Sequence, residues 1–216
     1  INSFQDLSLS QETLKALNDM GFSKPFPIQA SAIPVIAQGN DVVGLAQTGT
    51  GKSAAFIIPA IEKINTQTKN TQILVLCPTR ELAVQVAEEA KKLLTYRKDI
   101  RTLAIYGGDS IVRQIQELRK GVHFVVGTPG RILDHLNRKT LAIDALKMII
   151  LDEADEMLDL GFLPDVEKIF TLTSSRTQTL LFSATMPGDI ISLARRFMNQ
   201  PVHIRAANLE DEGAVV

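Results

Sequence analysis

The sequence predicts a single α/β domain with a mostly parallel sheet of about seven strands and helices on both faces. Short apolar runs rich in Val and Ile alternate with longer stretches of helical period, which is the rhythm of βαβ units. Several of these runs are apolar almost throughout, as expected for strands that crossover helices cover on both sides. A chain of 216 residues with 45% hydrophobic content can bury one large core. The predicted strands span residues 41–45, 73–77, 101–106, 123–126, 148–151, 179–182 and 202–204.

Apolar stripes between the strands predict amphipathic helices whose apolar side belongs to the core. From Ala206 onward the sequence AANLEDEGAVV is acidic, rich in small residues and without period, which predicts a tail or the start of an interdomain linker. The predicted domain therefore covers residues 1–205 and the tail covers 206–216. The three clearest stripes comprise Leu82, Ala83, Val86, Ala87, Ala90, Leu93 and Leu94; Ile111, Val112, Ile115 and Leu118; and Ile190, Leu193, Ala194 and Phe197.

Composition excludes several classes of protein. The formal net charge is -1, from 23 Lys and Arg against 24 Asp and Glu, so a globally basic nucleic-acid binder is excluded while a local groove is not. The single Cys77 excludes a disulfide scaffold and a zinc knuckle. No apolar run reaches the roughly 20 residues of a membrane span, and the start lacks signal-peptide features, so we expect a cytoplasmic protein. His123, His135 and His203 show no metal-ligand spacing.

A glycine-rich loop follows the first predicted strand. After DVVGLA come Gln47, Thr48, Gly49, Thr50, Gly51, Lys52 and Ser53, and then the helix-like run AAFIIPAIEKI. Such a turn can direct consecutive N–H groups at phosphate oxygens, with Lys52 reaching the β- and γ-phosphates of ATP and Ser53 ligating Mg²⁺. Ala46 stands where the general phosphate-loop pattern has its first glycine. The alternative is a plain turn with a solvated lysine.

A carboxylate pair ends the strand in KMIILDEAD. Asp152 and Glu153 fall at the carboxyl edge of the sheet, where parallel α/β folds bind their ligands. We expect Asp152 to hold Mg²⁺ through water, and Glu153 to orient and deprotonate the water that attacks the γ-phosphate. The alternative is an acidic first turn that stabilises the following helix.

Three further strand-to-helix junctions combine hydroxyls, glycines and arginines at helix starts. Because parallel strands share one carboxyl edge, the three together could follow several phosphates of a nucleic-acid strand. The alternative is that Thr79 and Thr128 are ordinary helix caps. The first junction is Pro78, Thr79 and Arg80; the second is Gly107, Gly108 and Asp109; the third is Thr128, Pro129, Gly130 and Arg131.

These motifs follow one another in a recognisable order. Phe4 lies upstream of GFSKPFPIQ, and AQTGTGKS, PTRELA, a Gly-Gly pair, TPGR, DEAD and SAT come after it. Over about residues 4 to 205, the sequence resembles the first RecA-like domain of the DEAD-box ATP-dependent RNA helicases. The resemblance implies a RecA-like fold. It also implies a second RecA-like domain, not contained in this chain, that supplies an arginine finger and half of the RNA surface.

The resemblance also implies roles for individual residues. Residues 21–29 would form an adenine pocket in which Phe22 stacks on the base and Gln29 pairs with its N6/N7 edge. The three junctions would contact the RNA backbone, and the helix after Arg131 would bend the strand. Ser183 and Thr185 would couple the ATP and RNA sites through Asp155, although from sequence alone they could also cap the helix near Pro187. The implied nucleotide-binding residues are Phe22, Lys24, Gln29, Thr48, Gly49, Thr50, Gly51, Lys52 and Ser53.

The function that follows is an ATP- and Mg²⁺-binding half of an RNA helicase that clamps RNA and locally separates short duplexes. Contacts to backbone and sugar imply weak sequence specificity, with the 2′-hydroxyl as the means of preferring RNA. A DNA translocase and an RNA clamp with little turnover stay open as alternatives. A small-molecule kinase is the weakest alternative, because no lid or acceptor pocket is evident. We expect the 216-residue chain by itself to be nearly inactive.

Overall fold

The computed structural model describes residues 1–206, and these form one sheet with helices on both faces. All neighbouring strands pair in parallel, in the order β3-β4-β2-β5-β6-β1-β7. The predicted parallel sheet is therefore confirmed, with every predicted strand end within one residue of the observed one. The strands are β1 (Val42–Leu45), β2 (Ile73–Leu76), β3 (Thr102–Ile105), β4 (Phe124–Gly127), β5 (Met148–Leu151), β6 (Gln178–Ser183) and β7 (Val202–Arg205).

The helices divide between two cores, one on each face of the sheet. Alternate strand residues point to opposite sides, so Ile73 belongs to one core and Leu74 to the other. The first core is covered by α1 to α4 and the second mainly by α6 to α9. The helices are a 3₁₀ helix (Phe4–Leu7), α1 (Gln11–Asp19), α2 (Pro27–Ala37), α3 (Lys52–Glu62), α4 (Arg80–Leu93), α5 (Ile111–Arg119), α6 (Pro129–Asn137), α7 (Ala154–Asp159), α8 (Leu163–Thr171) and α9 (Gly188–Phe197).

Two of the predicted apolar stripes, on α4 and α9, pack into the core as expected. The prediction for α5 holds only for Leu118, which packs against the second core. Val112 is 60% exposed, and Ile111 and Ile115 are only half-buried, whereas the polar Gln114 is fully buried. The reason lies in the sheet order, since α5 follows the edge strand β3 and an edge strand offers little sheet surface to cover.

The described chain ends just beyond β7. Ala206 is 8% exposed and its N–H donates to the carbonyl of Leu45 at 2.9 Å, so the packed part of the chain includes this first residue of the predicted tail. The rest of that tail, residues 207–216, lies outside the described residues. Among residues 1–206, none of the helices combines the length and apolar character that a membrane crossing requires.

The strand order sets where chemistry can occur. The glycine-rich loop after β1 and the carboxylates after β5 flank the end of β6, which lies between them. The three junctions follow β2, β3 and β4, which are neighbours on the other side of β5. All of these segments therefore meet at one carboxyl edge, with the two groups side by side.

Candidate active site

The loop after β1 leaves the start of α3 free for an anion. Gly49 and Gly51 have φ angles of 85° and 77°, a backbone region that favours glycine. Gly51 is the N-cap and supplies no side chain to the first N–H groups of α3, which begins at Lys52. A Cβ on Gly51 would come within 2.4 Å of the Phe26 ring. The loop geometry thus matches the predicted phosphate site, with Thr48 exposed and Ser53 half-buried beside it.

Lys52 reaches across the end of β6 to both predicted carboxylates. Its Nζ lies 3.1 Å from Asp152 Oδ1 and 3.3 Å from Glu153 Oε1. Asp152 is fully buried, and neither of its carboxylate oxygens accepts a hydrogen bond from residues 1–206 beyond this ion pair. Burial raises the pKa of the Asp152 carboxyl, and the charge of Lys52 opposes that rise. A buried carboxylate with unused oxygens fits a divalent cation.

Glu153 occupies a strained backbone position at the start of α7. Its φ and ψ are both 54°, which is the left-handed region and costs a residue with a side chain about 1–2 kcal/mol. Such strain concentrates at functional sites, where the surrounding structure holds it. Glu153 remains partly open to solvent while its side chain faces Lys52, so this carboxylate can contact a water molecule at the loop.

The predicted adenine segment touches the loop through Gln29. The side chain is 0% exposed; its Oε1 accepts from the N–H of Phe26 at 2.9 Å, and its Nε2 donates to the carbonyl of Gly51 at 3.1 Å. One N–H and one oxygen lone pair of the amide make no further hydrogen bond within residues 1–206. Phe22 is half-buried and packs edge-on against Phe4 with ring centroids 6.3 Å apart, while Lys24 is exposed.

Phe26 lies beside the glycine-rich loop, although the sequence did not single it out within the predicted adenine segment. Its ring is 46% exposed and lies against the backbone of Gly51. It is also the N-cap of α2, with Pro27 at the first helical position. The two prolines beside it were the available signal, because they fix the chain direction at this helix start.

The three residues predicted to couple the sites, Asp155, Ser183 and Thr185, form a compact cluster at the ends of β5 and β6. Ser183 Oγ accepts from the N–H of Asp155 at 3.1 Å, and Asp155 Oδ2 accepts from the N–H and hydroxyl of Thr185 at 3.2 and 3.0 Å. Burial raises the pKa of Asp155, but the hydrogen bonds from Thr185 and Ser183 outweigh it and the pKa is lowered. α9 has Pro187 as N-cap without a side-chain bond, so Ser183 and Thr185 do not cap it.

The two predicted junction threonines behave differently. Thr79 caps α4 by accepting from the N–H of Leu82 at 3.2 Å, as the structural alternative expected. Thr128 is the N-cap of α6 but makes no side-chain cap bond, which leaves its hydroxyl available. Of the other predicted contact residues, Gly107, Gly108 and Gly130 are exposed, whereas Pro78 and Pro129 are buried and present no side-chain surface.

The two junction arginines are held by neighbouring residues. Arg80 is exposed, with its guanidinium 4.9 Å from the centre of the Tyr106 ring. Arg131 is half-buried, and its NH1 group donates to the carbonyl of Asp109 at 2.9 Å and to Gln114 Oε1 at 3.1 Å. Gln114 was not predicted as a site residue; the signal for it was a polar residue between apolar positions on the predicted inner side of α5.

Comparison with known proteins agrees with this geometry. Residues 26–193 match the model of the DEAD/DEAH box helicase family. The DEAD-box ATP-dependent RNA helicase CshA of Geobacillus kaustophilus is 53% identical over 201 residues, which cover 93% of this chain and 43% of that protein. CshA of Bacillus subtilis is 51% identical over 203 residues, which cover 94% of this chain and 41% of that protein.

A solved structure gives the same result for the fold. The crystal structure of a DEAD box protein from the hyperthermophile Methanococcus jannaschii superposes with a TM-score of 0.92 at 46% identity, covering 96% of this chain and 56% of that one. The chain spans less than half the length of the two CshA proteins. Because the family model matches most of the chain and the relatives match nearly all of it, the chain belongs to the DEAD/DEAH box helicase family.

Proposed function

We propose that this chain is the ATP-binding part of an ATP-dependent RNA helicase, which couples ATP hydrolysis to RNA clamping and local duplex unwinding. The observation that carries the proposal is the contact of Lys52 with both Asp152 and Glu153 beside the open N-terminus of α3. A phosphate-binding loop, a metal ligand and a base are what phosphoryl transfer to water requires. The names of the two CshA relatives support the same activity.

The phosphate chain of ATP would bind to the backbone of Thr48, Gly49, Thr50 and Gly51 and to Lys52. Ser53 and Asp152 would hold Mg²⁺, which supplies positive charge to the phosphate oxygens when bound. Asp152 suits Mg²⁺ because of its charge. If Lys52 turns toward a phosphate, the buried carboxylate of Asp152 loses its cation and needs another. Glu153, which is partly open to solvent, would orient the attacking water and accept its proton.

The base of the nucleotide would lie beside residues 21–29. Phe22 would stack on adenine, Lys24 would line the pocket, and Gln29 would use its remaining N–H and lone pair on the N6/N7 edge. An amide matches that edge and mismatches guanine, which supports ATP over GTP. The contact of Gln29 with Gly51 would place the base next to the loop that holds the phosphates.

The RNA backbone would run along the three junctions. The exposed Arg80, the free hydroxyl of Thr128 and the exposed backbone at Gly107, Gly108 and Gly130 support contacts to phosphates and sugars. Thr79, Arg131 and the buried Pro78 and Pro129 would contribute through backbone or positioning. α6, which begins beside Arg131, would bend the bound strand.

A second RecA-like domain would complete both sites. The two CshA relatives are more than twice as long as the matched segment, which supports such a domain. It would supply the arginine finger and the other RNA contacts, and Asp155, Ser183 and Thr185 would couple its closure to RNA binding. We place the protein in the cytoplasm, which agrees with the reduced, buried thiol of Cys77.

The test is ATP hydrolysis with RNA, with DNA of the same sequence, or with neither, for this chain alone and for this chain joined to its natural C-terminal continuation. We expect stimulation by RNA only, and only in the joined protein, because a missing cationic finger lowers phosphoryl-transfer rates by about 10³–10⁵. Equal stimulation by DNA would favour a translocase. ATP-dependent RNA binding without turnover would favour a clamp. Equal rates for both proteins would contradict the two-domain mechanism.

A further inference from the structure

One buried amide uses all of its hydrogen-bonding capacity between two of the junctions. Gln114 Nε2 donates to the carbonyl of Tyr106 at 3.1 Å and to Asp109 Oδ2 at 3.3 Å. Its Oε1 accepts from Arg131 NH1 at 3.1 Å and faces His135 Nε2 at 2.8 Å. The side chain is 0% exposed. An amide offers two N–H groups and two lone pairs, so none is left over.

The partners determine which way this amide points. The guanidinium of Arg131 can only donate, and the carbonyl of Tyr106 can only accept, so the oxygen must face Arg131 and the nitrogen must face Tyr106. The ring of His135 then carries a proton on Nε2, and its Nδ1 lies 2.7 Å from the Thr140 hydroxyl. Rotating the amide by 180° would set its nitrogen against the donating guanidinium of Arg131 and its oxygen against the carbonyl of Tyr106, so these two partners fix its orientation.

The network extends to the first junction through Tyr106. The carbonyl of Tyr106 is bonded to Gln114, and its ring lies 4.9 Å from the guanidinium of Arg80. The second junction is held through Tyr106 and Asp109, which flank its two glycines, and the third is held through Arg131. A single side chain on α5 therefore bonds directly to residues at the second and third junctions, and it reaches the first junction only through the contact of the Tyr106 ring with Arg80.

We propose that Gln114 is a positioning residue for RNA: it fixes the spacing of the three junctions so that they meet successive phosphates as one rigid surface. The inference rests on the proposed RNA-binding function. Burial of an amide is unfavourable unless it is fully bonded, and an apolar residue would pack on this helix without that requirement. What the amide adds is a side-chain link beyond the last backbone bonds between these strands, such as that from the N–H of Thr128 to the carbonyl of Ile105.

Two substitutions separate the two branches of the network, which are the bonds of Gln114 to Arg131 and His135 and its bonds to Tyr106 and Asp109. Gln114→Glu keeps the acceptor for Arg131 and His135 but loses the donors to Tyr106 and Asp109. Gln114→Ala loses both branches. Gln116→Ala is the matched control, because Gln116 lies on the same helix, is exposed and makes no side-chain hydrogen bond within residues 1–206. Ile61→Val, a buried change at the far end of α3, controls for general loss of stability.

The first measurement needs no RNA. Hydrogen exchange of the amides in residues 106–110 of this chain should become about 3- to 10-fold faster in both Gln114 variants, the factor expected for one net hydrogen bond. NMR should show that the Arg131 guanidinium rotates slowly in the unmodified chain and in Gln114→Glu. This slow rotation should be lost in Gln114→Ala only. Both controls should match the unmodified chain. Unchanged exchange in both Gln114 variants would overturn the proposed network, whatever the protein binds.

The second measurement uses the chain joined to its natural C-terminal continuation. Gln114→Ala should raise the KM for RNA in the ATPase reaction by about 3- to 30-fold, the range for mutations within a coupling network, with kcat and the KM for ATP unchanged. Ile61→Val should leave the KM for RNA unchanged. An unaltered KM for RNA in Gln114→Ala would overturn the positioning role. Absence of any RNA effect in the unmodified protein would instead overturn the proposed function, and the exchange result would stand.

Discussion

The side-chain nitrogen of Gln29 donates a hydrogen bond to the carbonyl oxygen of Gly51, 3.1 Å away. The oxygen of the same amide accepts from the backbone of Phe26, so one buried side chain ties the start of α2 to the glycine-rich loop. A change at Gln29 should therefore affect the proposed base recognition and the shape of the glycine-rich loop together.

Gln29→Ala should weaken ADP binding and remove the preference for ADP over GDP. The loss of a bidentate amide contact corresponds to about 1–3 kcal/mol of base discrimination. Titration calorimetry with ADP and GDP on the 216-residue chain measures both quantities. Gln38→Ala is the matched control, because Gln38 is the exposed C-cap of the same helix. Equal affinity of the unmodified chain for ADP and GDP would contradict the adenine pocket.

Glu153→Gln should separate binding from hydrolysis in the chain joined to its C-terminal continuation. The substitution keeps the size of the side chain and removes the base, so we expect turnover to fall by about 10²–10⁴-fold while ATP and RNA binding persist. Steady-state ATPase rates and nucleotide titrations provide the comparison. Glu156→Gln, an exposed change on the same helix, should behave like the unmodified protein. Near-normal turnover in Glu153→Gln would mean that another group is the base.

Lys52→Met should destabilise the domain in the absence of nucleotide. It leaves the carboxylate of Asp152 buried without its cation, and removal of one partner from a buried ion pair typically costs about 3–5 kcal/mol. Adding Asp152→Asn should restore most of the loss, because the uncompensated charge is then gone. Urea denaturation of the single and double variants measures the free energy of unfolding. A double variant as unstable as Lys52→Met would show that the buried charge is not the cause.

Acidification should destabilise the domain through His135. Burial lowers the pKa of this imidazole and the charge of Arg131 lowers it further, with Asp134 opposing. The unfolded chain then takes up the proton at a higher pH than the folded chain does. The contribution of His135 to stability is therefore complete above the ordinary histidine pKa of about 6.5, and it is lost as the pH falls through and below that value.

His135→Gln, which keeps a donor toward Gln114, should flatten this part of the stability profile. Urea denaturation at a series of pH values from 7 down to about 5 gives the slope. His203→Gln serves as the control, because His203 is exposed on the edge strand β7. The same slope in His135→Gln and in the unmodified chain would assign the acid sensitivity to other groups.

Much of the fold was predictable because parallel strands are buried on both faces and read as short apolar runs. The same geometry predicted that Lys52, Asp152 and Glu153 meet at one edge. In the structure, Lys52 Nζ lies 3.1 Å from an oxygen of Asp152 and 3.3 Å from an oxygen of Glu153. The nucleotide, metal and RNA roles of the individual residues stay predictions until the experiments above are done.

Other features depend on information that the local sequence does not contain. The strand order arises because the β1 to β2 connection passes over β5 and β6, and no local pattern encodes that distance. Thr79 and Thr128 occupy equivalent positions at helix starts, yet only Thr79 forms the cap bond. The helical period of α5 showed which of its residues share a side of the helix. It did not show how small an area of the sheet that side faces, so the burial of Gln114 was not predicted.

The sheet order also divides the chain in an unusual way. β2, β3 and β4 are consecutive in sequence and adjacent in space, so this half of the sheet is one continuous stretch inserted between two segments that build the other half. A single ladder, from the pair Ile73 and Met148 to the pair Leu76 and Leu151, joins the halves within the described sheet. Continuous stretches of this kind are the units in which proteins open cooperatively. The two cores nevertheless run across both halves, with Val42 and Ile73 in one and Val43 and Leu74 in the other, so the half that bears the three junctions stays packed against the half that bears the glycine-rich loop.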